Sequence, residues 1–592
     1  MKRPMTDEDV LERAGVDGRV AFAMAAFALG AGLVALLDRV GVPEKLVGAL
    51  GPFLALFGLT IIGLLLRSMR VSRFYAGGRA VPAPYAGLAL AALGAGLFAP
   101  FVPPLSQNVS LAGLLAGFGS GITFAALVTG PFLRKTGAFS IPDLLSGRFP
   151  NLALRLGVII VIAAMSLLVA IAGFNSAIDA LVAFGGVSRI GATIALGFVL
   201  FFVAVPSGLS GVVWAATGAA GILIASLALP LVFHMGRGGS LPLPVLGDET
   251  LWQGALDRLS QWHTQGTQAP AGADFTLILA IAIGICALAP ILSPAITATN
   301  RDSSQRAGLV ALVWALVITA LVAATIALST LSLDKTMIGA RPDRLPDHIY
   351  QHAARGELTL CGAAVKGPAE ARAACAGPKG PKEKIGPGDY AASGSYLVMA
   401  LSELQGVGLA FSGLVCAALV SISMVLAAAS LQSFATSIGH DGLYRVRDRS
   451  ALTSRRLAMT RVIYIAAVFA CGLFLARKSI DGSSFIALAL TFSAASIAPL
   501  LALTLWPRAT GPDAVITLLI GLVVAEAVIL AGPAGAPSIE RLSGAALLGC
   551  VAGFFSGWVS SLMRNADTSA SGAFVHQILH GEGEVMNPDK GA

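Results

Sequence analysis

Residues 283–294 read Ile-Gly-Ile-Cys-Ala-Leu-Ala-Pro-Ile-Leu-Ser-Pro, an apolar stretch that proline interrupts near its middle. Residues 87–103 read Gly-Leu-Ala-Leu-Ala-Ala-Leu-Gly-Ala-Gly-Leu-Phe-Ala-Pro-Phe-Val-Pro, a second apolar stretch with Gly94, Gly96 and Pro100 inside it. Glycine lowers helix propensity, and proline removes a backbone donor and clashes with the preceding turn. Both segments are therefore predicted to be helices that are broken near their middle.

The composition places these segments in a membrane. Of the 592 residues, 56% are apolar and only 12% are charged, and the mean hydropathy is +0.80. Soluble domains carry roughly 25% charged residues, so this chain lacks the polar surface of a soluble enzyme, a nucleic-acid binder or a secreted disulfide scaffold. Its recurring apolar stretches of about 20 residues can each cross a ~30 Å hydrocarbon core, and they are apolar on all sides, unlike barrel strands. The prediction is an all-α polytopic membrane protein.

Hydropathy and loop breaks predict about fourteen transmembrane helices. They are residues 20–41, 46–66, 82–103, 109–132, 155–181, 189–206, 211–235, 273–297, 307–334, 405–436, 459–477, 484–506, 513–531 and 542–563. The interrupted segments open two sets of five helices that begin on opposite sides of the membrane. That is the arrangement expected of a five-plus-five inverted repeat, in which unwound backbone holds ions and solute.

The predicted organisation follows from these spans. It consists of a cytoplasmic N-terminus (1–19), two peripheral helices (20–66), a first repeat (82–235), an extracytoplasmic loop (236–272), a second repeat (273–506) with an extracytoplasmic loop at 335–393, two further peripheral helices (513–563) and a cytoplasmic tail (564–592).

Arginine-rich short loops set the predicted orientation. Four loops that lie on one side of a fourteen-span chain hold most of the loop arginines, among them Arg79, Arg134, Arg301 and Arg456. By the positive-inside rule that side is cytoplasmic, and both termini share it. We therefore expect a multi-pass protein of the cytoplasmic (inner) membrane, and we attribute the net charge of +8 to topology rather than to nucleic-acid binding.

Two of the six cysteines lie in the loop at residues 335–393. Cys361 and Cys375 would meet an oxidising compartment there, so a disulfide between them is one of two open alternatives, the other being two free thiols. The remaining cysteines lie inside apolar spans and are interpreted as packing residues.

Four short segments outside the helix interiors form a pattern in their order and spacing. They are Phe74-Tyr-Ala-Gly-Gly-Arg79-Ala-Val-Pro82, Gly137-Ala-Phe-Ser-Ile-Pro142-Asp-Leu-Leu-Ser-Gly-Arg148-Phe149, Ser207-Gly-Leu-Ser-Gly211-Val-Val-Trp214 and His440-Asp-Gly-Leu-Tyr444. Together they resemble the sodium/solute symporter family, in its acetate-permease branch. The resemblance covers about residues 70–510. It implies a leucine-transporter-type inverted repeat and secondary active uptake of a small organic solute, such as acetate, together with a cation.

The resemblance also implies a site. The family's sodium ion would bind backbone carbonyls of Ala92, Ala95 and Ala417 and hydroxyls near Ser421 and Ser423, and such oxygen ligands suit a hard monovalent ion. The solute is expected beside the helix breaks and the third core helix. The residues assigned to it are Gly94, Gly96, Phe98, Asn175, Pro290 and Ser293.

The chain departs from the family pattern at several of these positions. Many relatives have an aspartate where this chain has Leu93 and a serine where it has Gly96, and acetate-permease relatives follow the equivalent of Pro290 with histidine instead of Ile291. An alternative is therefore a degenerate, transporter-like solute sensor or partner subunit. The coupling ion is also left open between sodium, a proton and none.

The sequence contains no phosphate-binding loop, metal-ligand cluster or nucleophile motif, so the chain is not expected to be an enzyme or to hold a cofactor beyond sodium as a candidate coupling ion. The expected partners are a small organic solute and the lipid bilayer, with no nucleic acid and an undetermined oligomeric state.

Overall fold

The structure is a computed structural model that describes residues 7–102, 110–243, 245–263, 273–377, 380–381, 383–406, 409–447, 450, 452–532, 537–564, 569–581 and 584–585. Parts of several predicted segments fall outside these residues: the first six residues, Pro103, the end of the 236–272 loop and most of the chain after residue 581.

Helices account for nearly all of the described chain. They are α1 (Asp7–Val40), α2 (Glu44–Leu65), α3 (Val71–Ala76), α4 (Ala83–Phe98), α5 (Leu111–Phe124), α6 (Gly130–Thr136), α7 (Ile141–Arg148), α8 (Leu152–Gly185), α9 (Arg189–Ala204), α10 (Leu209–Gly236), α11 (Glu249–His263), α12 (Ala273–Cys286), α13 (Ala289–Ile296), α14 (Arg301–Met337), α15 (Asp347–Ala354), α16 (Pro368–Ala374), α17 (Gly394–Met399), α18 (Leu401–Leu404), α19 (Leu409–Thr436), α20 (Thr453–Leu475), α21 (Gly482–Phe492), α22 (Ala498–Leu503), α23 (Gly511–Leu530), α24 (Ile539–Met563) and α25 (Ser569–His580). Turns of π-helix join α5 to α6 and α21 to α22 and extend α19 to Arg447.

The helix lengths confirm a multi-pass membrane protein. Among the described residues, 12 helical segments are long and apolar enough to cross a membrane, and the bent pair α12–α13 brings the total up to 13. The helix α9 is apolar but has only 16 residues. Each of the fourteen predicted spans thus corresponds to a helical segment.

In the predicted division into two sets of five spans, the sets run in opposite senses, because the start of α4 and the end of α13 meet: Glu584 pairs with Arg79 and Arg134, and Arg134 donates to the Ala298 carbonyl. The first consists of α4, α5–α6, α8, α9 and α10, and the second of α12–α13, α14, α19, α20 and α21–α22. One side, here named the basic face, holds the helix ends with Arg79, Arg134, Arg148 and Arg456. The other side is named the opposite face. The set that begins with α4 starts at the basic face, and the set that begins with α12 starts at the opposite face.

The helix α19 lies at the centre of the bundle, because 89% of its apolar membrane-spanning stretch is buried inside the protein. Neighbouring helices approach its backbone through glycine. A Cβ atom on Gly51 of α2 would lie 2.8 Å from the Gly413 carbonyl oxygen, and one on Gly173 of α8 would lie 2.9 Å from the Ser423 carbonyl oxygen. Small residues at these crossings allow the close helix packing that lipid-embedded bundles require.

The predicted break in the first core helix is wrong. The helix α4 is continuous from Ala83 to Phe98, and a short 3₁₀ turn follows at Ala99–Phe101. Its glycines serve packing instead: a Cβ on Gly94 would clash with Ile122, and one on Gly96 would lie 2.5 Å from the Ile422 carbonyl oxygen. Pro100 has no amide hydrogen to donate to the Gly96 carbonyl, and the α-helical pattern gives way to the 3₁₀ segment at this point.

The predicted break in the second interrupted segment is confirmed. The helices α12 and α13 meet at an angle of 47°, and Leu288 between them has the extended angles φ −80° and ψ 113°. The Ser493 hydroxyl donates to the Gly284 carbonyl at 2.7 Å. This bond satisfies one backbone acceptor beside the break, as a break inside a bilayer requires.

The segment at residues 338–404 forms a small lobe on the opposite face. Its strands β1 (Leu358–Leu360) and β4 (Tyr390–Ala392) pair antiparallel, with Thr359 opposite Ala391. The short strands β2 (Ala376–Gly377) and β3 (Gly380–Pro381) also pair. Cys361 and Cys375 are joined by a disulfide, with their Cα atoms 5.2 Å apart.

A buried histidine joins two glutamates within this lobe. The Nδ1 atom of His352 lies 2.5 Å from a Glu357 carboxylate oxygen and the Nε2 atom 3.1 Å from a Glu403 carboxylate oxygen. Because both ring nitrogens face carboxylates, both must donate, and the ring is protonated. Burial lowers the pKa of His352, but the hydrogen bonds and charges of the two glutamates outweigh burial and raise that pKa to about 9.

The stability of the lobe should therefore fall at alkaline pH. A histidine whose pKa is higher in the folded state stabilises the fold fully below its unfolded pKa of about 6.5, and this contribution disappears as the pH rises through about 9. We expect a loss on the order of 2–3 kcal/mol between these limits. The melting temperature of the detergent-solubilised protein, measured from pH 6.5 to 10, should fall for the wild type and change little for His352→Gln.

The matched control is His348→Gln, one helical turn earlier on α15. Burial lowers the pKa of His348, so this variant should keep the alkaline fall of the wild type. An alkaline fall that persists unchanged in His352→Gln would contradict the assignment.

Candidate functional site

Segments far apart in the sequence converge at the basic face. The ring of His440, at the end of the α19 extension, lies 4.8 Å from the ring of Tyr75 and 6.0 Å from the ring of Phe139. The Ser140 hydroxyl donates to the Asp441 carboxylate at 2.7 Å. The four segments that suggested a transporter family thus meet in one cluster, since Gly208, with φ +62°, packs so tightly against the Phe74 carbonyl that a Cβ would clash there.

The cluster is closed by buried polar contacts. The Tyr75 hydroxyl hydrogen-bonds the Thr460 hydroxyl at 2.8 Å, and the His440 Nδ1 atom lies 2.8 Å from the Asp441 carboxylate. Arg456 contacts the His440 ring and stacks over Tyr444, with its guanidinium carbon 4.3 Å from the ring centre. Paired in this way, the charged groups can remain at a helix end that is otherwise apolar.

A cavity lies directly inside this cluster. Residues of α3, α6, α7, α8, α10, α13 and α19 line it, among them Ser293 and Ile296 of the broken span. The space open to the centre of a water-sized sphere is about 40 Å³. One water needs roughly 10–15 Å³ by this measure, so the cavity has room for about three waters or a solute of three or four heavy atoms.

Gln432 of α19 is the unusual residue of the cavity wall. Its side chain is 3% exposed, and neither its amide nitrogen nor its amide oxygen has a hydrogen-bond partner among the described residues. A buried amide without partners destabilises the fold by about 1–3 kcal/mol. Gln432 was not among the residues predicted from the sequence, although it is an amide side chain inside an apolar span, as the predicted residue Asn175 is.

The predicted cation ligands lie at one crossing. Because Gly96 of α4 contacts Ile422 of α19, the α4 carbonyls and the α19 hydroxyls lie on neighbouring helices. The carbonyl of Ala95 accepts the amide hydrogen of Ala99, and the hydroxyl of Ser421 donates to the Ala417 carbonyl at 2.7 Å. In this state Ala95, Ala417 and Ser421 are engaged in helical hydrogen bonds, and the sodium site stays a prediction.

The predicted solute ligands are dispersed. Ser293 lines the cavity, and its hydroxyl donates to the Pro290 carbonyl at 2.7 Å. Phe98 packs edge-on against Phe118, with ring centres 5.3 Å apart. Asn175 lies near the opposite face, where its amide donates to the Ile480 carbonyl at 3.0 Å and to the Asp179 carboxylate at 2.7 Å. The structure therefore brings together the α13 residues and Gln432 but not Asn175.

Glu584 of the C-terminal tail pairs with two arginines at the basic face. Glu584 receives hydrogen bonds of 2.6 Å from both Arg79 and Arg134. Arg134 also donates to the carbonyls of Ala298 and Thr299, at 2.6 Å each. Glu584 thus contacts Arg79 after α3 and Arg134 of α6, and Arg134 in turn contacts the segment after α13. The helices α3, α6 and α13 each supply a residue to the cavity lining. We name this set of contacts the tail latch.

The comparisons with known proteins are consistent with a transporter. No protein-family model matches the chain. An uncharacterised symporter of Cupriavidus necator is 29% identical over 133 residues, which is 20% of this chain and 18% of that protein. The match spans less than a fifth of the length of that relative.

A solved structure extends the similarity to the whole bundle. The Na+-coupled sialic acid symporter, in a substrate-bound outward-open state, superposes with a TM-score of 0.62 over 88% of this chain and 98% of that chain, at 14% sequence identity. This likeness establishes the fold, which is the leucine-transporter-type inverted repeat. Both similar proteins are symporters, and neither is an enzyme.

The tail latch should hold the cavity closed. In Glu584→Gln, the Arg134 side chain, which is 3% exposed, loses its only described carboxylate partner. Because Glu584 itself is 31% exposed, we expect a modest destabilisation of about 1–2 kcal/mol. A cysteine introduced at Ile296, on the cavity wall, should then react faster with a soluble thiol reagent than it does in the protein with Glu584 intact.

The matched control is Glu540→Gln, which removes one exposed carboxylate at the start of α24, far along the chain from the latch. It should leave the thiol reaction rate unchanged. Equal rates in Glu584→Gln and in the protein with Glu584 intact would show that the latch does not close the cavity.

Proposed function

We propose that this protein is a secondary active symporter that takes up a small organic solute with a cation by alternating access. The solute class that we favour is a short monocarboxylate such as acetate. The arginine-rich basic face would lie in the cytoplasm, and both termini with it. The membrane would be the cytoplasmic (inner) membrane.

The cavity beside the broken span is the observation that carries this proposal. In inverted-repeat transporters, solutes bind where a discontinuous helix lies at the interface of the repeats. Here the cavity touches the break at Ala289 and also α19, the central helix of the second repeat. Its volume of about 40 Å³ suits a solute of acetate size and would exclude larger ones unless the walls move apart.

Sodium and protons are the two candidate coupling ions. Sodium coupling is supported by the fold likeness to a Na+-coupled symporter and by the proximity of α4 to the hydroxyls of α19. A proton would need no dedicated oxygen cage, and the engagement of Ser421 with the Ala417 carbonyl is compatible with either ion.

Uptake in proteoliposomes tests the function directly. Labelled acetate, pyruvate and proline are offered to vesicles under an inward sodium gradient, an inward proton gradient or neither, with protein-free vesicles as the correction for passive entry. We expect gradient-dependent uptake of a monocarboxylate above that of proline. An absence of gradient-dependent uptake for every solute would refute transport and favour the sensor or partner-subunit alternative.

The double variant Ser421→Ala/Ser423→Ala tests the cation site. It removes two oxygen atoms that are candidate ligands but little volume, so expression and melting temperature should stay near those of the wild type. We expect the sodium-dependent part of uptake to disappear, because a hard cation needs those oxygens.

The matched control is Ser430→Ala, a buried hydroxyl further along the same helix. It should retain the sodium response of the wild type. A double variant that responds to sodium like the wild type would remove these serines from the site and leave their hydroxyls a helix-bonding role.

A further inference from the structure

We propose that the cavity binds the carboxyl group of its solute in the neutral, protonated form, paired with the Gln432 amide. The inference rests on the proposed function and names the chemical class of its ligand: a small neutral molecule with a hydrogen-bond donor beside an acceptor. Protonated short carboxylic acids and primary carboxamides share this chemistry.

The unpaired amide sets the pattern that a ligand must match. Gln432 offers hydrogens on Nε2 and lone pairs on Oε1, and both atoms lack partners within the described structure. A carboxylic acid accepts from Nε2 through its carbonyl oxygen and donates its hydroxyl hydrogen to Oε1, which closes a planar pair of hydrogen bonds. A carboxylate anion has no hydrogen to donate, so it would leave Oε1 unsatisfied.

The lining itself holds no charged residue, and the charged groups behind it already have partners. Arg456 lies behind the Tyr75 ring, 5.2 Å from the ring centre, and contacts His440. Arg79 lies behind the Phe139 ring, 5.4 Å from the ring centre, and pairs with Glu584. Asp441 accepts from Ser140 and contacts His440. The residues that line the cavity are apolar, aromatic, hydroxyl-bearing or, for Gln432, an amide, and none is acidic or basic. Placing a carboxylate in such surroundings without a counter-charge is strongly unfavourable, and the group takes up a proton instead.

The nearby helix start does not change this conclusion. A helix N-terminus attracts anions through free amide hydrogens. At the start of α13, Pro290 has no amide hydrogen, and the amides of Ile291 and Leu292 donate to the Leu288 carbonyl at 3.1 and 3.2 Å. Of the first four amides of α13, one is absent and two are occupied, so at most the Ala289 amide is left for an anion.

Ligand-dependent thermal stability of the purified full-length protein in detergent tests the inference without transport. The probes are acetamide, acetate and acetone; acetone has nearly the shape of acetamide but no donor. Acetamide should raise the melting temperature equally at pH 5 and pH 8, and acetone should not raise it. Acetate should act at pH 5, with an apparent affinity that falls on the order of 10³-fold by pH 8, because the protonated fraction of a carboxyl group with a pKa near 4.3 falls by that factor.

The variant Gln432→Leu should lose the response to both acetamide and acetate. Its own stability should equal or exceed that of the wild type, because an apolar group of similar size replaces an unpaired buried amide. The matched control is Gln405→Leu near the opposite face, where the Gln405 amide lies 3.2 Å from His234. This control should keep both responses.

Three results would overturn the inference: acetate acting as well at pH 8 as at pH 5, with or without sodium; Gln432→Leu responding like the wild type; or no probe stabilising the wild type, in which case an ordered water alone partners the amide. These results are separable from failure of the proposed function. Binding that follows Gln432 without any uptake would refute transport alone, whereas uptake with unchanged binding by Gln432→Leu would refute the subsite alone.

Discussion

A chain that crosses hydrocarbon must satisfy its own backbone hydrogen bonds, and the break between α12 and α13 is where this constraint shapes the protein. The break leaves backbone groups outside the α-helical pattern, so it must be buried in protein and not in lipid. The Leu288 carbonyl accepts two amides of α13, and a hydroxyl from α21–α22 reaches the Gly284 carbonyl. On the α13 side, the break also borders the cavity through Ala289, Ser293 and Ile296.

The same constraint explains why α4 stays straight. A glycine in an apolar span either permits unwinding or permits a close helix crossing, and the local sequence is the same in both cases. In α4 the glycines permit close helix crossings, because Ile122 and the Ile422 carbonyl fill the space beside Gly94 and Gly96. The helix stays regular there, and its backbone groups remain hydrogen-bonded. In the other repeat, Pro290 removes an amide hydrogen, and the chain is extended at Leu288 just before it, so the helix is broken there.

Features that depend on local chemistry could be predicted from the sequence, and those that depend on long-range contacts could not. Apolar length identified the spans, and Pro290 identified the break. The segments around Tyr75, Ser140 and His440 were recognised separately, but their convergence needs the tertiary fold. Gln432 lacks hydrogen-bond partners only in the folded protein, so its unpaired state could not be predicted from the sequence. The role of Glu584 could not be predicted either, because the arginines that it contacts lie 450 and 505 residues away along the chain.

The cavity and the α4–α19 crossing differ in what they can stabilise, and this difference bears on coupling. At the crossing, carbonyl and hydroxyl oxygens lie on adjacent helices, but Ser421 and Ala417 already bond each other. A cation would have to displace that bond, and several oxygens would have to coordinate the ion at once to offset its loss. In the cavity the amide of Gln432 has no bond to give up, so a neutral donor–acceptor ligand gains two hydrogen bonds without breaking any. If the protein binds a solute and a cation at the proposed sites, solute binding would require less rearrangement of this state than cation binding, and a cation that couples to uptake would have to favour a different arrangement of α4 against α19.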